Sequence, residues 1–436
     1  MRITFDLERE LTPEQHAAIR QQLVLIPVYI WIAYMWWVFF THLPVGAARV
    51  HDHAARDFVH FYTQGAIARA RDAHALYDID AMAAFVTRVV PVPVNVRFPP
   101  VYGPQVSLLF APLAWLSYVN ALRLWLVLTI AGYAFCVHRV WRSSAALSRK
   151  RWAAAMFAAG APGLHFALSF GQVSLIGLGC FTLLWLALKA DRPWLAGIAI
   201  GALAYKPQLG VVAACVFVLR GQWRVVGGAI AAIAAQALAA LAYWGPAIFT
   251  GYVRALLALP RVIDDMEPDK SLMHSWRGLF LHMGIPPAPA LALTIALSIA
   301  TILVVVFAWK PGADLRPKFV LLVVATLLVD SHLYAYDLLV LAPALIVAWD
   351  WAAARTTGSS AIAREGGFTT DRVGSLAMAL VMFVYASPIL TIALPAVPIQ
   401  WSVIAFVALG ALLSASLLGE RSTRDGRVWS VHKVIA

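Results

Sequence analysis

Charged side chains are scarce in this chain. Asp, Glu, Lys and Arg make up only 13% of the 436 residues, whereas 61% are hydrophobic, and the mean hydropathy is +0.76. A compact water-soluble protein could not cover its surface with so few charges. The shortage therefore excludes an ordinary soluble globule and predicts an all-α polytopic membrane protein.

Cysteine is also rare. The three cysteines, Cys136, Cys180 and Cys215, all lie in apolar segments, and no two have CxxC spacing. This pattern excludes a disulfide framework and a cysteine-ligated metal site. The formal charge of +12 could indicate a nucleic-acid partner, but the basic residues fall in short loops between apolar segments rather than in one patch. We therefore expect no nucleic-acid partner.

The apolar runs and the basic loops predict a topology. About twelve runs reach or approach the length that spans a bilayer, and the basic clusters follow the even-numbered runs. By the positive-inside rule, these loops and both termini are cytoplasmic. The predicted organisation is a cytoplasmic segment at 1–22, a transmembrane domain at 23–418 and a cytoplasmic tail at 419–436.

One apolar segment does not fit this count. If residues 103–117 crossed the membrane, the Arg149-Lys150-Arg151 cluster would lie outside. The segment has about 15 residues and contains Pro104 and Pro112, which favours a broken helix buried against protein, either interfacial or re-entrant.

Polar residues concentrate in two predicted outer loops, 41–102 and 250–287. The first contains Asp57, which begins a pattern typical of an amphipathic helix, with Phe58, Phe61, Tyr62 and Gly65 at three- and four-residue steps. A carboxylate at this position could act as a general base on a sugar hydroxyl. Asp is equally a preferred helix N-cap, so a purely structural role stays open.

Three turns between apolar segments carry further polar groups. They are Gly171-Gln172, Lys206-Pro207-Gln208 and residues 331–337. The lysine could snorkel to the headgroups or neutralise a lipid phosphate. Pro207 breaks the helix beside it, and the freed backbone groups then need a partner. In the third turn, Asp337 and the preceding Asp330 could be functional or could cap helices.

Several sequence motifs, taken in chain order, resemble those of a known family. The motifs are Asp-Phe-x-x-x-Tyr-x-x-Gly, Leu-Tyr-Asp, Phe-Pro-Pro-x-Tyr-x-Pro, Gly-Gln, Ala-Gly-x-x-x-Gly-x-x-x-x-Lys-Pro-Gln and Ser-x-x-x-x-Tyr-Asp-Leu, spread over residues 57–338. Together they resemble glycosyltransferase family 87, whose members are integral-membrane enzymes of the GT-C type and include polyprenyl-phosphomannose-dependent mannosyltransferases. Such enzymes place an essential Asp in the first outer loop, and the resemblance assigns that role to Asp57.

The resemblance implies a reaction and a set of site residues. The enzyme would move a mannose-like hexose or a pentose from a polyprenyl-phosphate donor to a lipid or glycan acceptor, with inversion. It would act on the extracytoplasmic face of a bacterial inner membrane. The donor phosphate would be bound by Lys206, Arg97 and Arg261. Candidate substrate contacts are Tyr62, Tyr102, Gln172, Gln208, His274, His332, Tyr336 and Asp337. A lipid monophosphate is a less charged leaving group than a nucleotide diphosphate, so we expect no metal or other cofactor.

Alternatives remain open for the identity of the sugar and for the class of protein. The mannosyltransferase branch has a Ser-Pro turn followed by paired histidines, whereas this chain has Asp330-Ser331-His332 followed by Tyr336-Asp337. About twelve spans also fit a transporter or lipid flippase, although no repeated halves are visible. An O-antigen ligase or polymerase would normally place its largest loop late in the chain, and here the largest loop is the first.

Overall fold

A computed structural model describes residues 26, 29–37, 39–41, 56–90, 98, 101–148, 151–259, 269–363, 372–394 and 397–419. Within these ranges the chain folds into helices, and β pairing is limited to one isolated antiparallel bridge between Met273 and Tyr334. The all-α class predicted from the composition is therefore confirmed.

Eighteen α-helices are labelled here in chain order. They are α1 (Arg56–Ala70), α2 (Ala73–Tyr77), α3 (Ile79–Val89), α4 (Pro104–Phe110), α5 (Tyr118–Arg142), α6 (Arg151–Ala159), α7 (Pro162–Phe170), α8 (Ser174–Lys189), α9 (Pro193–Ala202), α10 (Val211–Leu219), α11 (Trp223–Trp244), α12 (Ala247–Ala258), α13 (Trp276–His282), α14 (Pro287–Ala308), α15 (Leu315–Val329), α16 (Leu341–Ala363), α17 (Arg372–Ala393) and α18 (Trp401–Gly419). Short 3₁₀ helices lie at Leu113–Trp115, Leu203–Tyr205, Pro207–Gly210, Lys270–Leu272 and Ala335–Val340.

Six of the described helical segments are long and apolar enough to cross a membrane. They are α5, α11, α14, α17, α18 and the segment Ala335–Thr356, which includes the start of α16. Other predicted spans correspond to shorter helices; α8, for example, has 16 residues and a length of about 24 Å, against about 30 Å for the hydrocarbon core. The protein is thus an all-helical membrane protein, and the number of about twelve spans stays a prediction.

The segment 103–117 is not one continuous helix. It contains the seven-residue helix α4 and the 3₁₀ helix Leu113–Trp115, which together are too short to cross the hydrocarbon core. Helix α4 packs so closely on α1 that there is no room for a side chain at Gly65. A Cβ there would clash with the carbonyl oxygen of Phe110. The ring of Phe110 also stacks on that of Phe61 at 5.2 Å. This contact fixes α1, the helix that carries Asp57.

Small residues let other helices approach closely. A Cβ on Gly163 of α7 would lie 2.5 Å from the backbone nitrogen of Leu339 in the 3₁₀ helix Ala335–Val340. A Cβ on Gly197 of α9 would lie 2.0 Å from the carbonyl oxygen of Val225 on α11. Such close backbone contacts are a common basis of helix association in membranes. The first of them joins the start of α7 to Leu339, and at the other end of α7 the ring of Phe170 lies 5.6 Å from that of Tyr336.

Candidate active site

Asp57 lies in the first turn of α1 and is half-buried. Its Oδ2 accepts a 2.5 Å hydrogen bond from Nε2 of Gln172, a residue in the turn between α7 and α8. Gly171 ends α7 with a φ of +67°, a left-handed conformation that glycine adopts without strain. The Gly171-Gln172 motif therefore makes the turn that delivers an amide to the carboxylate of Asp57.

The side chain of Gln172 is oriented by its own surroundings. Its Oε1 accepts the backbone N–H of Val173 at 3.2 Å, and this assigns the other end of the amide as the donor towards Asp57. The backbone carbonyl of Gln172 accepts the indole N–H of Trp125 at 3.3 Å. A side chain fixed at its oxygen by Val173 and at its backbone by Trp125 can keep the carboxylate in one orientation.

Tyr102 joins this group from the segment before α4. Its hydroxyl lies close to the side chain of Gln172. The pKa of Tyr102 lies well above its ordinary value, mainly because the ring is buried and further because of the negative charges of Asp337, Asp57 and Asp330. The hydroxyl of Tyr102 therefore stays protonated near neutral pH and remains a hydrogen-bond donor next to these carboxylates.

Lys206 and Asp337 form a buried ion pair. Their side chains are 3% and 2% exposed, and Nζ of Lys206 contacts Oδ2 of Asp337. The same carboxylate accepts the hydroxyl of Ser174 at 3.3 Å and the backbone N–H of Tyr334 at 3.3 Å. The ammonium lies 5.5 Å from the ring centroid of Tyr336. Lys206 is thus turned inwards, and it is not the snorkelling lysine that the sequence left open.

A second acid, Asp330, follows α15, and the sequence allows it either a functional role or a role as a helix cap. It is 1% exposed, and its Oδ1 accepts the backbone N–H of His332 at 2.9 Å. Within the described part of the chain, Oδ2 has no hydrogen-bond partner. Burial raises the pKa of Asp330 to about 6, with Lys206 opposing the shift and Asp337 adding to it. The site therefore holds a carboxyl group that changes its charge just below neutral pH.

Two predicted histidines lie around the same turn and are neutral. The side chain of His332 is half-buried. Its pKa is lowered to about 3, mainly because of burial and further because of the positive charge of Lys206. His274 is fully buried, and burial lowers its pKa to about 3 as well. The backbone N–H of His274 donates to the carbonyl of Leu333 at 3.2 Å, and its Nδ1 lies 2.6 Å from the hydroxyl of Ser402 on α18. Residues of the second predicted outer loop thus support the 331–337 turn.

The remaining predicted residues occupy different places. Tyr62 donates its hydroxyl to the carbonyl of Leu116 at 2.8 Å and packs among aromatic side chains on the buried side of α1. Tyr336 stacks on Tyr334 with ring centroids 5.6 Å apart. Gln208 is half-buried in the 3₁₀ helix that follows Lys206. Arg97 and Arg261 lie outside the described residues.

The arrangement can perform acid–base chemistry beside an apolar environment. Asp57, Gln172 and Tyr102 provide a positioned carboxylate and two hydrogen-bond donors, and the Lys206–Asp337 pair provides buried charges next to them. These groups come from five separate segments of the chain. A convergence of this kind on an all-helical membrane scaffold is characteristic of a membrane-embedded enzyme.

Comparison with known proteins identifies the enzyme class. The family model of glycosyltransferase family 87 matches residues 101–334, over half of the chain. This protein therefore belongs to glycosyltransferase family 87 and takes a sugar donor and an acceptor as substrates, which sets aside the transporter alternative. Tyr102, Gln172, Lys206 and Asp330 lie inside the matched segment, whereas Asp57 lies before it. Searches of curated proteins and of solved structures found no significant match.

The hydrogen bond from Gln172 gives a direct test of the geometry. We expect Gln172→Met, which keeps the length of the side chain but removes its donor, to lower kcat by about 10- to 100-fold, since a hydrogen bond to a charged group contributes about 1.5–3 kcal/mol. The matched control is Gln105→Met, because Gln105 donates only to the backbone carbonyl of Ala204 at 3.1 Å. Equal kcat values for the two variants would contradict an orienting role for Gln172.

Asp330 predicts a pH-dependent stability. Its pKa is raised in the folded state, so its contribution to stability is present below pH 4 and is lost as the pH rises to about 6. A shift of about two units corresponds to about 3 kcal/mol. Asp330→Asn should therefore raise the Tm of the detergent-purified protein at pH 7.5 and have little effect at pH 4.

Asp350, a carboxylate with several hydrogen-bond partners, serves as a control for which the opposite change in Tm is expected. Asp350 accepts the hydroxyl of Ser144 at 2.7 Å and the backbone N–H of Ala146 at 2.8 Å, and it pairs with Arg316 at 3.3 Å. Asp350→Asn should lower the Tm at pH 7.5. A lower Tm for Asp330→Asn as well would show that Asp330 is stabilised as an anion.

Proposed function

We propose that this glycosyltransferase moves a mannose-like hexose or a pentose from a polyprenyl-phosphate donor to a lipid or glycan acceptor. The reaction would take place on the extracytoplasmic face of a bacterial inner membrane, as the distribution of basic loops favours. One observation carries the proposal. The half-buried Asp57 carboxylate, oriented by Gln172, lies in the same cluster as the buried Lys206–Asp337 pair, surrounded by apolar helices.

Asp57 is proposed as the general base. It takes the proton of an acceptor hydroxyl, and the hydroxyl oxygen attacks the anomeric carbon of the donor sugar. The bond between that carbon and the phosphate oxygen breaks, and its electrons leave with the lipid phosphate. A single displacement of this kind inverts the anomeric configuration. Gln172 orients the base through Oδ2, and the protonated Tyr102 can donate to an oxygen of the sugar or phosphate.

Lys206 is proposed as the cation that meets the donor phosphate. In the structure its charge is balanced by Asp337, so phosphate would share or replace that carboxylate as the partner of the ammonium. Arg97 and Arg261 are proposed to add positive charge. Gln208, His274, His332, Tyr336 and Tyr62 remain proposed substrate contacts. The displacement does not require a metal in this scheme, because the leaving lipid monophosphate carries less charge than a nucleotide diphosphate.

Purified protein tests the donor class directly. The wild type is incubated in detergent with radiolabelled polyprenyl-phosphate mannose, glucose or arabinose, or with the matching nucleotide sugars, and with a total-lipid acceptor extract. We expect transfer from one lipid-linked sugar and none from a nucleotide sugar. Transfer that requires the nucleotide sugar would contradict the proposed donor while leaving the enzyme a glycosyltransferase.

A further inference from the structure

An apolar cavity is lined at one end by Leu338, the residue that follows Asp337 of the charged cluster. It has a volume of about 440 Å³ and is lined by residues of α5, α6, α7, α16, α17 and the 3₁₀ helix Ala335–Val340. The side chains that define it include Tyr133, Phe157, Leu338, Leu345, Trp349 and Tyr385. We call it the α16 slot. Its volume falls within the range of small-molecule sites, which is about 300–1,000 Å³.

The α16 slot offers almost no hydrogen bonds to an occupant. The two tyrosines in its wall both donate their hydroxyls to backbone carbonyls of α6: Tyr133 to Ala158 and Tyr385 to Phe157, each at 2.9 Å. The rest of the lining is almost entirely Leu, Ile, Val, Ala, Met, Pro and aromatic rings. Water is held in a cavity only where polar partners are available. The chemistry of the wall therefore selects a hydrocarbon.

The slot also has a direction. Leu338, at one end, directly follows Asp337, the partner of Lys206. From there the lining residues follow the chain to Trp349, which precedes the Asp350 cluster. The eleven helical steps from Leu338 to Trp349 correspond to roughly 16–18 Å. A chain lying in the slot would begin beside the ion pair and extend along α16 into the apolar interior, as the tail of a lipid does below its headgroup.

We infer that the α16 slot binds the hydrocarbon tail of the lipid-phosphate donor whose phosphate lies at Lys206. This inference rests on the proposed donor class and adds the location of its lipid part. The slot holds only the section of the tail nearest to the phosphate. We therefore expect the enzyme to accept donors of different total lengths, with the remaining isoprene units in the bilayer.

Photo-crosslinking tests the location without requiring turnover. The probe is an isoprenoid monophosphate with a diazirine close to its phosphate end, applied to the purified wild type and mapped by peptide mass spectrometry. The slot-filling variant is Ala342→Phe, because Ala342 lines the cavity. The matched control is Ala235→Phe at an exposed position of α11. Ala342→Leu is a smaller step in case the ring disturbs folding, which is checked by Tm and gel filtration.

We expect labelling on peptides of α16 and α17 that excess unlabelled isoprenoid phosphate removes. It should fall at least fivefold in Ala342→Phe and stay unchanged in Ala235→Phe. Labelling elsewhere, equal labelling of all three proteins, or equal labelling by a diazirine phosphatidylcholine would overturn the inference. Transfer from a lipid-phosphate donor together with an unlabelled slot would overturn this location alone, whereas the proposed function is tested by the transfer assay.

Discussion

Asp57→Asn should abolish sugar transfer and leave the protein folded. General-base catalysis typically contributes 10²- to 10⁴-fold to a rate, and asparagine cannot accept the acceptor proton. The folded state should tolerate the change, because the Oδ1 of asparagine can still accept the hydrogen bond from Nε2 of Gln172. The measurement is kcat with the donor found in the transfer assay, together with the Tm and the donor KM of the variant.

Two other carboxylates of the same predicted loop provide controls. Asp72 caps α2 by accepting the backbone N–H of Ala75 at 3.2 Å, and asparagine is an equally good N-cap. Asp72→Asn should therefore change kcat by less than about twofold. Asp52 lies outside the described residues, and Asp52→Asn should likewise have only a mild effect on kcat. Losses of similar size in all three variants would mean that net charge in the loop matters, and not a base at position 57.

Much of the fold class and part of the site could be predicted from the sequence. The low charge and the apolar runs predict a helical membrane protein, because these properties depend on composition alone. Asp57, Gln172 and Lys206 were identified from local motifs, since a helix start, a glycine turn and a Lys-Pro break are readable in a few residues. The structure then brings these three motifs into one cluster.

The remainder depends on tertiary structure. The partner of Lys206 lies 131 residues further along the chain, and no local pattern specifies that distance. From the sequence, Asp330 could be functional or a helix cap, and only the structure shows that it is buried and that, among the described residues, its Oδ2 has no hydrogen-bond partner. Hydropathy also predicts spans at segments where the structure has helices as short as α8 and α10, and that these helices cross the membrane stays a prediction.

Removing the ammonium of Lys206 should have the largest effect on stability. Lys206→Met leaves the buried carboxylate of Asp337 with only Ser174 and the backbone N–H of Tyr334 as partners. Breaking a buried ion pair from one side typically costs about 3–5 kcal/mol. We therefore expect a marked fall in Tm and no measurable transfer. This variant alone cannot separate a role in phosphate binding from a role in folding.

The double variant Lys206→Met/Asp337→Asn separates the two roles. It removes the uncompensated charge, and asparagine keeps an oxygen for the hydroxyl of Ser174, so the Tm should return close to that of the wild type. If Lys206 meets the donor phosphate, the donor KM should remain raised by about 10-fold or more, as expected for a lost charged hydrogen bond. Recovery of both Tm and KM would show that the ion pair has only a structural role. It would then join the two 3₁₀ helices that flank Lys206 to the 331–337 turn. The phosphate would then have to be bound by other cations, of which Arg97 and Arg261 are the ones that the sequence proposes.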